Sequence, residues 1–348
     1  MTTVVTPPSA DDLAEVLREA TRSRRSIDVV GGGTRSRCGR PAAPADLELH
    51  TSALRRVVAH EPEDLTLTVE AGMPAEEAVA LAASAGQDWP QAEVRPGSTI
   101  GGVLATGASG RRRLRSGAVR DSVLQVVIAT GDGRLVTAGG RTVKGVSGFD
   151  IPRLAVGSHG TLGVITQVTL KLWPVPVARG WFGAEAGLEE RLAMVRAMLT
   201  GDARPAAVIL TPGRIDVELA GPPDDVVAPA GMVASADPPV PSGMGVVGVG
   251  VPPPRLGDLS VLLEDEGFGY EARMGVGTCL VAVADAGQVA RVRRWALGLG
   301  GHASVLDGPD ALRDDPWGPP PPGLALMRRL RDAFDPSGVL NGRLVPWA

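Results

Sequence analysis

The chain has 348 residues, of which 44% are hydrophobic and 21% are charged, and its formal net charge is −4. This length predicts about two domains with an ample core. The net negative charge argues against a nucleic-acid partner, because nucleic-acid binding needs a basic surface. The two cysteines, Cys38 and Cys279, lie outside any C-x-x-C motif. They exclude a disulfide scaffold and a four-cysteine iron–sulfur site, and they favour a reducing cytoplasm.

The N-terminal stretch MTTVVTPPSADDLAEVL has neither the basic n-region nor the apolar h-region of a signal peptide. No apolar run approaches the roughly 18 residues of a membrane span. We therefore expect a cytoplasmic protein that meets a membrane only through partner subunits.

The first half of the chain is predicted to be rich in strands. Helices are predicted in ADDLAEVLREATRS and in PAEEAVALAASAG, which has early glutamates and a closing glycine. VLQVVIATGDGRLVTAGG predicts a hairpin that turns at Asp132 and Gly133. GTLGVITQVTLKLWPVP predicts a long strand that the prolines end, so we place a domain boundary at residue 176. Three further strands are predicted, over residues 26–30, 46–50 and 65–73.

Residues 177–320 are predicted to form a smaller α+β domain. It begins with a helix over 188–200 and a hairpin over 206–221, and later segments alternate between helix and strand patterns. Residues 221–256 are rich in proline and glycine and show no periodicity, so we predict an irregular connection there. The tail, residues 321–348, contains an amphipathic helix that we expect to return to the first domain.

Two segments of the second half match the dinucleotide fingerprint by letter only. They are GMGVVG (243–248) and GLGGHA (298–303). A Rossmann fingerprint follows a strand and opens a helix, so that the helix N-terminus meets the pyrophosphate. The first lies in the predicted connection and the second follows a predicted helix, so neither is taken as a binding site.

Residues 31–36, with the sequence GGGTRS, are the first of three glycine-rich segments in the first half. Glycines reach positive φ, so successive N–H groups can point at one anion, and Thr34 and Ser36 add hydroxyl donors. No helix pattern follows, and the lysine of a P-loop is missing. Taken alone, the segment fits a structural turn at least as well as a phosphate site.

Residues 95–124 form the second segment, in which glycine, alanine, serine and threonine leave room for a large flat ligand. The arginines at 111–113 and 115 fit a solvated loop, a phosphate contact or a docking surface. The third segment, residues 149–170, carries glycines before a strand whose backbone could bond a purine edge.

The order of these segments resembles the flavin-binding domain of the vanillyl-alcohol oxidase type, which has the PCMH fold. Residues 116–176 are most similar to the FAD-binding subunit of bacterial glycolate oxidase, and FDPSGVLNGRL and GGHASVL resemble that group's later segments. The similarity is continuous over about residues 25–177. It implies an α+β protein: a PCMH-type domain of two α+β subdomains over 1–176, a smaller α+β cap domain over 177–320, and a returning C-terminal helix in 321–348.

The resemblance implies FAD as the cofactor and assigns roles to the matched residues. The pyrophosphate would be held by Gly31, Gly32, Gly33, Thr34, Arg35 and Ser36. Pyrophosphate and isoalloxazine would be lined by Pro96, Gly97, Ser98, Thr99, Gly101, Gly102, Thr106, Gly107 and Ser109. The backbone of Val164 and Ile165, after Gly163, would meet the adenine.

Two details qualify this resemblance. Relatives with covalent flavin carry a histidine in the first glycine loop, and this chain has none there, so non-covalent FAD is expected. The group's tail has Asn-Pro-Gly, whereas this chain has Asn341-Gly342-Arg343, which puts the tail contact in doubt.

Flavin oxidation of a hydroxy acid needs arginines for the carboxylate and a base, often histidine. His302 is the candidate base, with a core or surface role as the alternative. We expect structural roles for His50 and for His60, which is predicted to begin a loop. His159 is expected to pack near the cofactor. No metal-binding cluster stands out, so no metal is expected.

The resemblance implies a flavoprotein subunit of a glycolate (2-hydroxy acid) oxidase or dehydrogenase complex. Its expected partners are a second flavin subunit and an iron–sulfur subunit, and its FAD would oxidise the substrate or relay electrons. Arg111–Arg115 would then be a candidate docking surface. The alternatives are a stand-alone FAD oxidase of another alcohol or hydroxy acid, and a scaffold that has lost its flavin, against which the intact glycine loops argue.

Overall fold

The chain, as a computed structural model, is described over residues 2–41, 43–141 and 149–344. Three buried clusters form its cores: one in the large-sheet region (residues 178–312) and two in the N-terminal region (residues 2–174), one of which is completed by Val339 and Leu340 of the tail. Residues 142–148 of the resembling stretch and residues 345–348 of the predicted tail lie outside the described residues.

A small parallel sheet with one helix opens the N-terminal region. Ser9 starts the helix because its side chain accepts the N–H of Asp12. Leu13 and Leu17 of the helix pack against Ile27 of the sheet in one buried cluster. The elements are β1 (Thr3–Val5), α1 (Ala10–Ser23), β2 (Ile27–Val30) and β3 (Leu47–His50), with strand order β1-β3-β2.

A five-stranded antiparallel sheet forms the rest of the N-terminal region, and its strand order is β4-β5-β9-β7-β8. Short helices cover it and enclose a second apolar cluster. The elements are β4 (Val57–Glu61), β5 (Thr66–Glu70), α2 (Ala75–Ser84), β6 (Gln87–Asp88), α3 (Ile100–Ala105), α4 (Arg113–Ser116), β7 (Val123–Ala129), β8 (Leu135–Gly139), α5 (Ile151–Ala155), β9 (Val164–Lys171) and β10 (Trp173–Pro174).

The helices α1 and α2, the hairpin of β7 and β8 and the long strand β9 lie where the sequence predicts them. The position of His60 was predicted wrongly, because it lies inside β4 and its Nε2 is 3.1 Å from Gln87 Oε1. The helix α3 was not predicted. It forms because Thr99 caps it, accepting the N–H of Gly102, and because Ile100 and Leu104 are buried.

An eight-stranded sheet builds the large-sheet region, with the order β14-β11-β13-β12-β16-β17-β15-β18. All of its pairs are antiparallel, and helices pack on it around the third cluster. The elements are β11 (Ala178–Glu185), α6 (Leu188–Thr200), β12 (Ala207–Thr211), β13 (Arg214–Gly221), β14 (Val233–Ser235), β15 (Gly245–Gly250), α7 (Leu256–Asp265), β16 (Tyr270–Arg273), β17 (Thr278–Val283), α8 (Ala286–Gly298) and β18 (His302–Asp307).

The prediction of an irregular connection over 221–256 is wrong. That stretch contains β14 and β15, and β15 pairs with both β17 and β18. Its glycines have a packing reason: a Cβ on Gly248 would lie 2.7 Å from Leu306 Cδ1, and one on Gly250 would lie 2.6 Å from His302 Cε1. The glycines leave room for the side chains of the neighbouring strand.

The tail returns to the N-terminal region. It contains the helix α9 (Leu324–Phe334), after which Leu340 forms a parallel bridge with Ile27 of β2. Asn341 then bonds to two separate segments: its Oδ1 accepts the N–H of Val29 at 2.7 Å, and its Nδ2 donates to the carbonyl of His159 at 2.8 Å. Within the described ranges, no helix is long and apolar enough to cross a membrane.

Candidate functional site

The first glycine segment begins where β2 ends and packs directly on the second. A Cβ on Gly31 would lie 2.3 Å from Thr99 Oγ1, and one on Gly32 would lie 1.7 Å from the carbonyl oxygen of Gly97. Gly33 has a φ of +69°, with open space where its side chain would be. The first two glycines therefore permit contact between loops, and only the third is needed for its own conformation.

The backbone amides of Gly31, Gly32, Gly33, Thr34 and Arg35 donate to no other protein group in the part of the chain that the structure describes. Unpaired N–H groups in one turn form a cradle for an anion. The segment closes with Ser36, whose N–H donates to the carbonyl of Gly33 at 3.1 Å. This donor set fits a pyrophosphate.

The second segment supplies the floor of a cleft beside this cradle. The N–H of Gly101 donates to the carbonyl of Ala71 at 2.7 Å, which holds α3 against the five-stranded sheet. Thr106 ends α3, and its hydroxyl donates to the carbonyl of Gly102 at 2.8 Å. The small residues here keep this floor flat.

The third segment supplies the opposite wall. Gly163, with a φ of +142°, turns the chain into β9. Val164 and Ile165 pair with β7 on one side, but β5 pairs only with residues 167–171 of β9. The other backbone edge of these two residues therefore faces the cleft, where a purine can bond.

Most of the predicted cofactor residues come together in one cleft, the glycine-lined cleft. Pro96, Gly97 and Ser98 lie behind it, in a turn that the Ser98 hydroxyl closes by donating to the Arg95 carbonyl at 2.7 Å. The predicted residues that line the glycine-lined cleft are Gly31, Gly32, Gly33, Thr34, Arg35, Ser36, Thr99, Gly101, Gly102, Thr106, Gly163, Val164 and Ile165.

Gly107 and Ser109 line a second cavity of about 650 Å³, the cationic cavity. It lies between the N-terminal region and the strands β15, β17 and β18. The two cavities share four lining residues, which are Arg35, Cys38, Thr106 and His159. The remaining side chains of this cavity that matter below are Arg35, Glu93, Arg95, Arg113, Arg273, Cys279, His302 and Asp307.

Glu93 is the centre of a charge cluster in the cationic cavity. Its Oε1 accepts from Arg35 at 3.1 Å and from Arg95 at 2.8 Å, and its Oε2 lies 3.8 Å from Arg273. Burial would raise the pKa of Glu93, but Arg95 and Arg35 outweigh it and hold that pKa below its usual range. The carboxylate is therefore ionised and shared by three cations.

Arg273 is fixed by three groups at once. Its Nε donates to Glu271 at 2.9 Å, and one terminal nitrogen donates to the carbonyl of Ser109 at 2.7 Å. Glu271 is fully buried. The guanidinium thus lies beside Ser109, a residue predicted to line the isoalloxazine ring, and its orientation is set before any ligand binds.

Arg113 differs from these arginines. Within the described residues, it makes no hydrogen bond and no ion pair. Burial, followed by the charge of Arg120, lowers its pKa. Asp121, the carboxylate that acts on it, bonds to the N–H of Ala118 at 2.9 Å and lies 3.5 Å from Arg153. Arg113 is a half-buried cation without a carboxylate partner.

The histidines take different positions. His302 is exposed at the wall of the cationic cavity and starts β18 opposite Gly250.

His159 lines both cavities, has a φ of +52°, and packs edge-on against Trp317, with 5.2 Å between the ring centroids. Its buried Nδ1 has no partner in the described part of the chain, and burial lowers its pKa to about 4. His50 Nε2 lies 2.6 Å from Glu48, away from both cavities.

Arg111–Arg115 do not form a free docking surface, and that hypothesis is wrong. Arg111 donates to Glu271 at 2.6 Å and to Asp237 at 2.5 Å, and Arg112 donates to both oxygens of Glu218 at 3.0 Å. Arg115 donates to the carbonyl of Ala220. These arginines join the N-terminal region to the large-sheet region, and Arg113 faces the cavity between them.

Sequence reasoning missed several residues of the two cavities. Glu93 and Arg273 were not considered, because they belong to one charge cluster although they lie 180 residues apart in the chain. Asn341 was considered only through its doubtful tail motif, yet it lines the glycine-lined cleft. Among the described residues, no three His, Cys, Asp or Glu side chains are placed to hold a metal ion.

Residues 1–139 match the FAD binding domain family. Glycolate oxidase subunit GlcE of Escherichia coli (strain K12) is 35% identical over 53% of this chain and 52% of its own. The mitochondrial D-lactate dehydrogenase [cytochrome] of Arabidopsis thaliana is 33% identical over 50% of this chain and 30% of its own. D-2-hydroxyglutarate dehydrogenase of Xanthomonas citri pv. viticola is 35% identical over 50% of this chain and 37% of its own. The chain matches about half the length, or less, of these curated relatives.

The fold extends further than the sequence similarity. A solved structure of alkyldihydroxyacetonephosphate synthase superposes with a TM-score of 0.67 over 97% of this chain and 75% of that chain, at 15% identity. The likeness therefore includes the large-sheet region, where the sequence was not recognisable, and it concerns the fold alone.

Proposed function

Residues 1–139 belong to the FAD binding domain family, the fold is the PCMH-type FAD-binding fold and the cofactor is FAD, and from this premise we propose a flavoprotein subunit that oxidises a small 2-hydroxy acid. One observation carries the proposal: the glycine-lined cleft and the cationic cavity adjoin, because they share the wall residues Arg35, Cys38, Thr106 and His159. A cofactor cleft that meets a cationic cavity suits an enzyme whose substrate carries a carboxylate.

The residues of the cleft fit FAD without a covalent bond. The free amides of residues 31–35 would hold the pyrophosphate, and the open edge of Val164 and Ile165 would hold the adenine. When bound, FAD supplies the acceptor of the two electrons that leave an alcohol as it becomes a carbonyl compound. Everything else in the reaction depends on side chains of the cationic cavity.

Arg273 would bind the substrate's carboxylate. Its guanidinium is 10% exposed and is oriented by Glu271 and by the carbonyl of Ser109. A pre-oriented guanidinium pairs with a carboxylate through two parallel hydrogen bonds, so it also fixes the carbon next to the carboxylate. Its position beside Ser109 brings that carbon to the flavin end of the cavity.

His302 would accept the proton of the substrate's hydroxyl. It is the histidine on the cavity wall whose imidazole is exposed. The other histidine of this cavity, His159, has a pKa of about 4 because it is buried, which makes it a weak base at neutral pH. His159 would instead hold the boundary between the two cavities.

We further propose that electrons leave through a complex. The relatives named above include a glycolate oxidase subunit, and this chain matches about half of that subunit's length. Two cysteines cannot hold an iron–sulfur cluster of the usual four-cysteine kind. A second flavin subunit and an iron–sulfur subunit are the proposed partners, and any membrane contact would pass through them, with the chain itself in the cytoplasm.

Flavin bleaching tests the proposed activity. Purified, FAD-loaded chain is mixed anaerobically with 2-hydroxy acids, and loss of the oxidised flavin absorbance is followed with and without co-expressed partners. We expect bleaching, slowed about 100-fold in His302→Asn and weakened in apparent affinity in Arg273→Met. Full turnover by the chain alone with a soluble acceptor would favour the stand-alone enzyme. A chain that binds no FAD even when refolded with it would favour the scaffold.

A further inference from the structure

The cationic cavity holds more positive charge than one carboxylate needs. Three of the four arginines on its wall share one carboxylate, Glu93, the fourth is Arg113, and Asp307 is paired with Arg37 at 3.2 Å. Behind the wall, Glu271 pairs with Arg273 and Arg111, and Arg111 also meets Asp237. Six arginines therefore face four carboxylates, which leaves two positive charges.

The arginines of this cavity are partly buried, at positions where removing a charge from water costs free energy. Arg35 and Arg273 have side chains that are 15% and 10% exposed, and both share Glu93. Arg113 makes no ion pair among the described residues, and Asp121, the carboxylate whose charge acts on it, also lies 3.5 Å from Arg153. A partly buried cation costs free energy unless an anion compensates it. Such a cavity is organised for a ligand with negative charge at more than one place.

Arg273 and Arg113, the two arginines that would meet a dianion, line the same cavity. Arg273 is tied to Ser109 at the flavin end. Arg113 begins α4, in a different segment, and lines the same cavity. One carboxylate on Arg273 would leave Arg113 uncompensated. The volume of about 650 Å³ admits a chain longer than two or three carbons.

We propose that the substrate is a 2-hydroxy dicarboxylate, with its first carboxylate on Arg273 and its distal carboxylate on Arg113. This inference rests on the proposed function and deepens it, because it replaces a small monoacid by a dianion at the same site. Glycolate would fit the first position and leave the second empty.

A spectral titration of the oxidised flavin tests the assignment without turnover. The probes are 2-oxoglutarate, a dianion, and 2-oxobutyrate, a monoanion, neither of which oxidised flavin can oxidise at a hydroxyl. The FAD-loaded wild-type chain should bind 2-oxoglutarate about 10- to 100-fold more tightly, the range expected for one charge-assisted hydrogen-bonded pair. Arg113→Met should abolish this preference by weakening only the dianion.

Arg120→Met is the matched control, since Arg120 is an exposed arginine of the next turn that does not line the cavity. It should keep the preference. FAD content and melting temperature of each variant report its folding. Equal affinity of both probes in the wild type, or equal weakening of both by Arg113→Met, would overturn the second carboxylate site. If neither probe changes the flavin spectrum and no hydroxy acid bleaches it, the proposed function itself fails.

Discussion

Arg112 and Glu218 are joined by two hydrogen bonds of 3.0 Å, from one guanidinium nitrogen to both carboxylate oxygens. Arg112 precedes α4 of the N-terminal region, and Glu218 is fully buried in β13 of the large-sheet region. A second arginine, Arg179, lies 3.6 Å from the same carboxylate. The two regions are therefore connected by a buried charge, which makes their relative position specific.

Arg112→Met should destabilise the protein by about 2–4 kcal/mol, because it leaves Glu218 buried with one distant cation. The free energy of unfolding, measured with urea and monitored by circular dichroism, checks this expectation. The double variant Arg112→Met, Glu218→Gln should recover most of the loss, because no buried charge remains. A single variant as stable as wild type would show that this pair does not hold the regions together.

Gly32→Ala should empty the flavin site, because the added methyl group would lie 1.7 Å from the Gly97 carbonyl. The two loops must then separate, and we expect the FAD dissociation constant to rise more than about tenfold. Gly86→Asn is the comparison, since Gly86 lies outside the cleft, its φ of +69° suits asparagine and its side chain would meet open space. Flavin absorbance per mole of purified protein measures both. Equal FAD content in the two variants would contradict the packing argument.

Stability should fall as the pH falls from about 6.5 toward about 4, in part because of His159. Its pKa in the folded chain is about 4, so the unfolded chain, with an ordinary pKa near 6.5, binds more protons in this interval. His159→Asn, which tolerates the positive φ, should reduce the loss of unfolding free energy by up to about 3 kcal/mol. Urea unfolding at pH 7 and pH 4.5 measures it. An unchanged pH dependence in the variant would show that another group controls the loss.

FAD should leave the chain on denaturation, because the first glycine segment contains no histidine for a covalent bond. After acid precipitation, the yellow flavin is expected in the supernatant, and the pellet should show no flavin fluorescence on a denaturing gel. Fluorescence that travels with the polypeptide would mean a covalent link elsewhere.

The predicted cofactor residues could be grouped from the sequence because they come in three local segments. Thirteen of the eighteen predicted cofactor residues line one cleft. The reason for two of the glycines could not be predicted: Gly31 and Gly32 lack positive φ and are required because the neighbouring loop packs against them, which a single segment cannot reveal. Pro96, Gly97 and Ser98 form the turn that makes this contact necessary.

Features that depend on distant residues could not be predicted. β15 contains glycines that normally disfavour strands, and it forms because β18 fills the space above Gly248 and Gly250 with Leu306 and His302. The sequence left the role of the arginines at 111–113 and 115 open between a solvated loop, a phosphate contact and a docking surface, because the partners of Arg111, Arg112 and Arg115 lie more than 100 residues later. Composition indicates that such arginines are charged but does not indicate which carboxylates meet them.

The bridge between Ile27 and Leu340 and the bonds of Asn341 have a consequence for biosynthesis. The strand that leads into the pyrophosphate cradle is among the first segments to leave the ribosome, whereas the residues that pair with it leave more than 300 residues later. If the N-terminal region folds during synthesis, the edge of β2 that contacts Leu340 and Asn341 stays unpaired until these two residues have been made. Stable capture of FAD is therefore a late event, and nascent chains stalled before residue 339 should bind flavin poorly.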